Sequence, residues 1–296
     1  AQMIADDQLD ILIELGGSTH MNKLAVMGYK PAPLQASWLG YPHSAGLEQI
    51  DYLILDPFVQ PTSRDLLVEE PLLMPKSWIA MGERAFPERP ITPGTPQERN
   101  GFLTFGTANN PYKYNRKMME TWARTVAAVP GSRFLFVRPE CGTPTFRANV
   151  TRIFESQGVS GDRIRFEAVR GQHMPFYNEM DLSLDTFPQT GGTTTCEALW
   201  MGVPVVTVAG DAMFERLSHS ILTNAGLADL SAESPEALVD VALKLAADHE
   251  RRKHLRTELR SMLKASPLGQ TEQFAADFFA MLERAVTERG LAPAVA

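Results

Sequence analysis

The chain has 296 residues, 28 of them basic and 35 acidic, for a formal net charge of −7; 44% are hydrophobic and 21% charged. That length predicts about two domains, and the composition excludes a disordered, collagen-like or coiled-coil chain. An acidic chain lacks the basic face that general nucleic-acid binding needs, and no apolar run approaches the roughly 18 residues of a membrane span.

The chain starts AQMIADDQLDILIEL, with no initiator Met and no basic segment ahead of an apolar one. We read it as a piece of a longer protein without a signal peptide. LDILIEL (9–15) is a short Ile- and Leu-rich run closed by Gly16-Gly17, which predicts a buried strand. A helix is expected over 20–29, and strands over QASWLGY (35–41) and YLILD (52–56). Residues 57–100 carry many prolines and weak periodicity, and 82–100 reads as a linker.

A second alternation starts at 101. Strands are expected at 102–106, 133–138, 163–168, 181–187 and 203–208. Helices are expected at 113–128, 144–157, 173–179, 193–201 and 213–225, followed by 235–248, 249–264 and 271–288. Strands alternating with helices predict parallel sheets, doubly wound over 101–270. Residues 1–81 supply about three strands, roughly half of such a sheet. The expected division is therefore 1–81, a linker at 82–100, a second domain at 101–270, and a C-terminal helix and tail at 271–296. Cys141 and Cys196 are the two cysteines and form no C-x-x-C pair, so neither a zinc site nor a disulfide framework is expected. A reducing cytoplasm suits that cysteine usage.

The most informative segment is DTFPQTGGTTTCEALWMGVPVVT (185–207). A strand runs into a loop with Gly191 and Gly192, and a helix opens at Thr193, Thr194 and Thr195. Glycine lets backbone approach a ligand closely, and helix N-termini offer free N–H groups and the positive end of a dipole. The chemistry points to phosphate, a nucleotide diphosphate above all. Glu197, one turn in, is placed to accept bonds from ribose hydroxyls. The competing reading is plain helix capping, with Glu197 completing a capping box.

In TFGTANNPYK (104–113) a strand leads to Asn109 and Asn110, and Lys113 stands at a predicted helix start. A lysine there opposes the helix dipole and wants an anion, such as a departing diphosphate. His173, in VRGQHMPFYNEMD, follows a strand at its C-terminal end, where open α/β sheets bind ligands; its ring suits base stacking, and Arg170 can reach phosphate. GGSTHMNK (16–23) and WLGYPHSAG (38–46) follow strands and can face a ligand across a cleft. Solvated lysine, packed histidine and ordinary turns are the bland counterparts of these readings. There is no G-x-G-x-x-G after a strand, no P-loop, no G-x-S-x-G and no H-E-x-x-H, which removes the common dehydrogenase, NTPase, hydrolase and zinc-peptidase readings.

Together these residues resemble a known family. PAPLQASWLGYPHSAGLEQIDYLILD, TFGTANNPYK and LDTFPQTGGTTTCEALWMGVPVVT, in this order, are similar to motifs of protein O-GlcNAc transferases and their bacterial and Spindly-type relatives. The resemblance spans about residues 8–230. It implies a GT-B architecture: two Rossmann-like domains, the N-terminal one present in part. It implies inverting transfer of a sugar, N-acetylglucosamine first among candidates, from a UDP-sugar to Ser or Thr of an acceptor protein, with no metal or other cofactor. By this analogy Lys113 is catalytic, holding the diphosphate and stabilising its departure. Asn110, Arg170, His173, Gly191, Gly192, Thr193, Thr194, Thr195 and Glu197 bind the nucleotide, and Thr19, Leu39, Gly40 and Pro42 line the sugar side. A tetratricopeptide superhelix belongs to the longer proteins of the family and is absent from this sequence.

Three departures bear on sugar identity. Gly17-Ser18-Thr19 stands where bacterial relatives often have G-H-T, Gly192 where the animal enzyme has histidine, and His43 where a small residue is usual. A glucosyl- or fucosyltransferase, a sugar-nucleotide epimerase, and a non-catalytic nucleotide-sugar-binding module remain alternatives.

Overall fold

The computed structural model describes residues 1–291. The last five residues of the expected C-terminal tail, 292–296, lie outside it. The N-terminal elements are α1 (Gln2–Asp6), β1 (Ile11–Glu14), α2 (Leu24–Met27), β2 (Leu34–Ser37), β3 (Tyr52–Leu55) and β4 (Glu70–Leu73). The four strands form one parallel sheet in the order β1-β2-β3-β4. After α3 (Pro96–Asn100) come β5 (Thr104–Thr107), α4 (Arg116–Ala128), β6 (Arg133–Val137), α5 (Pro144–Ser156), β7 (Ile164–Glu167), β8 (Leu182–Leu184), α6 (Thr193–Trp200), β9 (Val205–Val208), α7 (Leu217–Asn224) and β10 (Ser231–Ala232). Three helices close the chain: α8 (Pro235–Ala247), α9 (His249–Ala265) and α10 (Thr271–Glu288).

The second sheet is parallel throughout, in the order β10-β9-β8-β5-β6-β7. Its first strand sits inside, and the winding reverses between β5 and β8. Ligands of open α/β sheets bind at such a switch point, beyond the carboxyl ends of the strands. Every residue of β5, β8 and β9 is buried, as strands covered on both faces require. On α4 the stripe Met118, Trp122, Val126 buries against Phe134 and Phe136 of β6 and Phe154 of α5.

Several elements differ from expectation. β4 falls inside the proline-rich stretch, where no strand was expected. Its Pro71 pairs with Leu53 on the edge of the sheet, where a missing N–H is tolerated. β2 stops at Ser37 because Leu39 takes a left-handed conformation (φ 74°) and Gly40 passes against the Leu15 carbonyl, where a Cβ would come within 1.9 Å. The helix expected over 20–29 shrinks to α2, between positive-φ residues Met21 and Lys30. Residues 173–179 form a 3₁₀ turn over Met174–Glu179, and 213–225 splits into a 3₁₀ turn (Met213–Glu215) and α7. The segment read as linker contains α3, whose Thr95–Glu98 capping box fixes its start. β10, two residues long, had no sequence signal.

The two sheets are held together at two places. α10 crosses back to the N-terminal sheet, where Met281 and Leu282 pack with Ala36, Ile54 and Met74, and Phe274 and Phe278 lie against Trp38. Beneath the cleft, Leu53, Leu55, Val59 and Trp78 from the first unit form one apolar cluster with Met213 and Leu217 from the second. Buried Asp56 anchors this junction. It accepts from the amides of Phe58 (2.8 Å), Val59 (2.7 Å) and Trp78 (2.9 Å) and from Ser220 Oγ of α7 (2.6 Å). Burial pushes its carboxyl above the usual range, against those four bonds.

Candidate functional site

A cleft of about 510 Å³ opens between the two sheets. Leu39, Gly40, Pro42, Trp78 and Ile79 line it from the N-terminal side, and Asn109, Asn110, Lys113, Arg138, Gly192, Thr193 and Thr194 from the other. The second set stands on the loops after β5, β6 and β8, at and beside the switch point.

Asp185, fully buried at the end of β8, organises the loop that follows. Its carboxylate accepts from the amides of Thr186 (2.8 Å) and Gly191 (2.9 Å), from Asn109 Nδ2 (3.1 Å) and from Thr207 Oγ1 (2.7 Å). Asn109 Oδ1 in turn accepts from Thr194 Oγ1 at 2.8 Å, which ties the β5 loop to the start of α6. Gly191 is required by close packing: a Cβ there would meet Thr195 Oγ1 at 2.3 Å and Thr194 Oγ1 at 2.9 Å. Gly192 is not so constrained, its nearest neighbour being Leu217 at 3.9 Å.

No side chain caps α6. The capping reading of the three threonines therefore fails, and the first amides of the helix lack intrahelical acceptors. Thr193 is exposed to the cleft. Thr195 is buried instead and bonds Ser218 Oγ at 2.7 Å, with Ser218 donating to the Gly191 carbonyl at 2.9 Å. Its hydroxyl fastens α6 to α7 and does not line the cleft.

Lys113 is not at a helix start. It ends a 3₁₀ turn, Pro111–Lys113, capped by Asn110, whose side chain accepts from the Tyr112 amide at 3.1 Å. α4 begins at Arg116, capped separately by Asn115. The half-buried Lys113 ammonium donates to the Thr190 carbonyl at 2.7 Å. Burial pushes its pKa below the ordinary lysine value; nearby Asp185 opposes that shift and Arg138 adds to it. An ammonium held this way beside the opening of α6 offers a concentrated positive field to an anion.

Glu197 forms no capping box either. Its Oε2 lies 2.9 Å from His173 Nε2 and 3.4 Å from the buried Tyr177 hydroxyl, which is also 3.3 Å from the Thr194 carbonyl. Burial and the Glu197 carboxylate hold the Tyr177 phenol well above its ordinary range. The structure thus joins His173 and Glu197, 24 residues apart, into one polar group behind the first turn of α6. Arg170 is exposed on the preceding turn and takes no part in these bonds.

On the N-terminal side, Leu39, Gly40 and Pro42 reach the cleft, but Thr19 does not line it. Its hydroxyl donates to the Gly16 carbonyl at 2.7 Å and closes the turn after β1. Glu14 holds that turn, accepting from the amides of Gly16 (2.9 Å) and Gly17 (2.7 Å). The His43 ring meets Phe214 edge-on at 5.4 Å, across the junction between the two units. Sequence reasoning missed Asp185, Arg138 and Trp78. The strand-end position of Asp185, immediately before the glycine loop, was the one available signal. Among the described residues no group of three His, Cys, Asp or Glu side chains is placed to hold a metal, and no helix is long and apolar enough to cross a membrane.

The fold has solved counterparts. A solved point mutant of the Thermobaculum terrenum O-GlcNAc transferase superposes with a TM-score of 0.83 at 31% identity, over 96% of this chain and 53% of that one. Anabaena HepE, solved in complex with UDP, shares the fold at a TM-score of 0.58 and 11% identity. These likenesses make the architecture GT-B. A probable UDP-N-acetylglucosamine–peptide N-acetylglucosaminyltransferase SPINDLY of Petunia hybrida is 39% identical over 279 residues, 93% of this chain and 30% of that protein. The corresponding SEC protein of Arabidopsis thaliana is 29% identical over 282 residues, 92% of this chain and 28% of that one. The chain thus spans about 30% of the length of these curated relatives. The family model for glycosyl transferase family 41 matches residues 1–87 and 94–278, and the chain belongs to that family.

Proposed function

We propose that this chain is the donor-binding portion of a protein glycosyltransferase that moves N-acetylglucosamine from UDP-N-acetylglucosamine to Ser or Thr of acceptor proteins in the cytoplasm. Transfer is direct displacement at the anomeric carbon, inverting and independent of metal. The observation that carries this reading is the meeting of the Lys113 ammonium and the uncapped start of α6 at one end of the cleft, through Thr190 and the Asn109–Thr194 bond.

In this reading the first α6 amides, Thr194's among them, and the Thr193 hydroxyl hold the diphosphate, while the Thr194 hydroxyl stays on Asn109. Lys113 neutralises the charge that builds on it as the bond to the sugar breaks. The His173–Glu197 pair lies one turn deeper, where base and ribose sit, with Glu197 accepting from ribose hydroxyls. Leu39, Gly40 and Pro42 close the sugar side from the first unit, the acceptor side. The units are 1–81 and 101–270, joined by 82–100, with 271–296 as a returning helix and tail.

The test is transfer by the longer protein from UDP-N-acetylglucosamine to a Ser/Thr peptide, with and without chelator. Lys113→Ala is expected to lower turnover by about 10²-fold or more while chelator leaves it unchanged. Near-wild-type turnover in the variant removes Lys113 from the mechanism, and loss of activity on chelation removes the metal-independent step. Preference for GDP over UDP would move the donor to a guanine nucleotide.

A further inference from the structure

The chain carries a net charge of −7, yet both charged side chains lining the cleft, Lys113 and Arg138, are cations. They rise from neighbouring strands: Lys113 follows β5 and Arg138 follows β6, which pair in parallel through Thr107 and Phe136. Arg138 has no full partner. Its Nε is buried and donates to nothing, and the nearest carboxylate oxygen, Glu140 Oε2, is 3.6 Å away and itself accepts no bond. That separation is too long for a hydrogen bond. Glu140 thus leaves the guanidinium incompletely paired, and with Nε shielded a ligand in the cleft reaches Arg138 through the terminal nitrogens of a side chain that is 27% exposed. Arg138 also adds to the downward push on the Lys113 ammonium, as a like charge close by must. Two cations and no carboxylate line the cleft, which fits a dianionic ligand, and a planar guanidinium suits phosphate oxygens.

We infer that Arg138 is a second cation for the donor's diphosphate, binding phosphate oxygens opposite the start of α6 while Lys113 holds the same group from the β5 loop. This rests on the nucleotide reading above and adds a residue to it.

The test is an affinity ladder of uridine, UMP and UDP, measured by competition against a fluorescent UDP analogue on the unchanged chain, Arg138→Gln and Glu140→Gln. Thermal melts confirm that each variant is folded. Arg138→Gln is expected to lower UDP affinity by about 10-fold to 100-fold and uridine affinity by less than about threefold, flattening the ladder. Glu140→Gln is expected to keep the steps of the ladder. An equal drop for all three ligands, an unchanged ladder, or a flattening reproduced by Glu140→Gln would overturn the assignment and make Arg138 a structural partner of Glu140. Absence of UDP binding by the unchanged chain would instead overturn the nucleotide reading, and this assignment with it.

Discussion

Thr194 donates from its hydroxyl to Asn109 Oδ1 at 2.8 Å, joining the first turn of α6 to the loop after β5 across the point where the strand order reverses. The same asparagine donates to Asp185, and Asp185 holds Gly191. The start of α6, the glycine turn and the lysine loop are thus parts of one hydrogen-bonded body. It is built before a ligand arrives, so binding need not order it.

Gly191 and Gly192 test that body directly. Gly191→Ala places a Cβ within 2.3 Å of Thr195 Oγ1 and 3.0 Å of Asp185 Oδ1. The expected result is a loss of about 1–3 kcal/mol of stability with weaker UDP binding. Gly192→Ala, with nothing nearer than 3.9 Å, is expected to melt within a degree or two of the parent, about 0.5 kcal/mol. Denaturant titration of both variants decides; equal effects would contradict the packing argument.

The Lys113 ammonium gives a pH prediction. Burial holds its free-state pKa below the ordinary 10.5, and an arriving diphosphate raises it by opposite charge. The protonated form therefore binds better. Affinity is full below the free-state pKa and falls as pH rises through it, starting below the ordinary lysine range. Lys113→Arg stays charged and is expected to lose this share of the alkaline decline. Calorimetric titration of UDP across neutral to alkaline pH on both proteins reads the difference; superimposable profiles would refute it.

Glu197 supplies a test of nucleotide orientation. If its carboxylate reads ribose, the unchanged chain prefers UDP over 2′-deoxy-UDP, and Glu197→Ala reduces that preference. The expected change is about 10-fold, one charge-assisted hydrogen bond. Retention of the full preference in the variant would place the ribose elsewhere.

Asp56 does not line the cleft and concerns stability. Asp56→Ala leaves three amides and the Ser220 hydroxyl without their acceptor at the junction of the two units. We expect a loss of about 2–4 kcal/mol, seen in denaturant unfolding. A variant as stable as the parent would show that the apolar cluster alone holds the junction.

What was legible in the sequence is what is local in the chain. The glycine turn and threonines at 191–195, the Asn–Lys turn at 109–113 and the Leu-Gly-Tyr-Pro loop each declare themselves within ten residues. Five of the six strands of the second sheet were legible for the same reason, as short apolar runs between helical stretches; β10 was not. Partners distant in sequence were not. Asn109 and Asp185 are 76 residues apart, and neither alone looks like more than a loop polar residue. Thr195 reads like Thr193 and Thr194, but the turn of the helix sends it to Ser218, away from the cleft. β4 was hidden by Pro71, which argues against a strand unless its edge position is known. The return of α10 to the first sheet is a tertiary fact with no local mark beyond the apolar stripe of the helix.

The central claim is that the cleft beside Lys113 binds a nucleoside diphosphate. The most direct measurement is calorimetric titration of this chain with UDP, repeated with Lys113→Ala. Saturable one-site binding is expected, weaker by about 10-fold or more in the folded variant. Binding of equal strength in both proteins, or none by the folded parent chain, would contradict it.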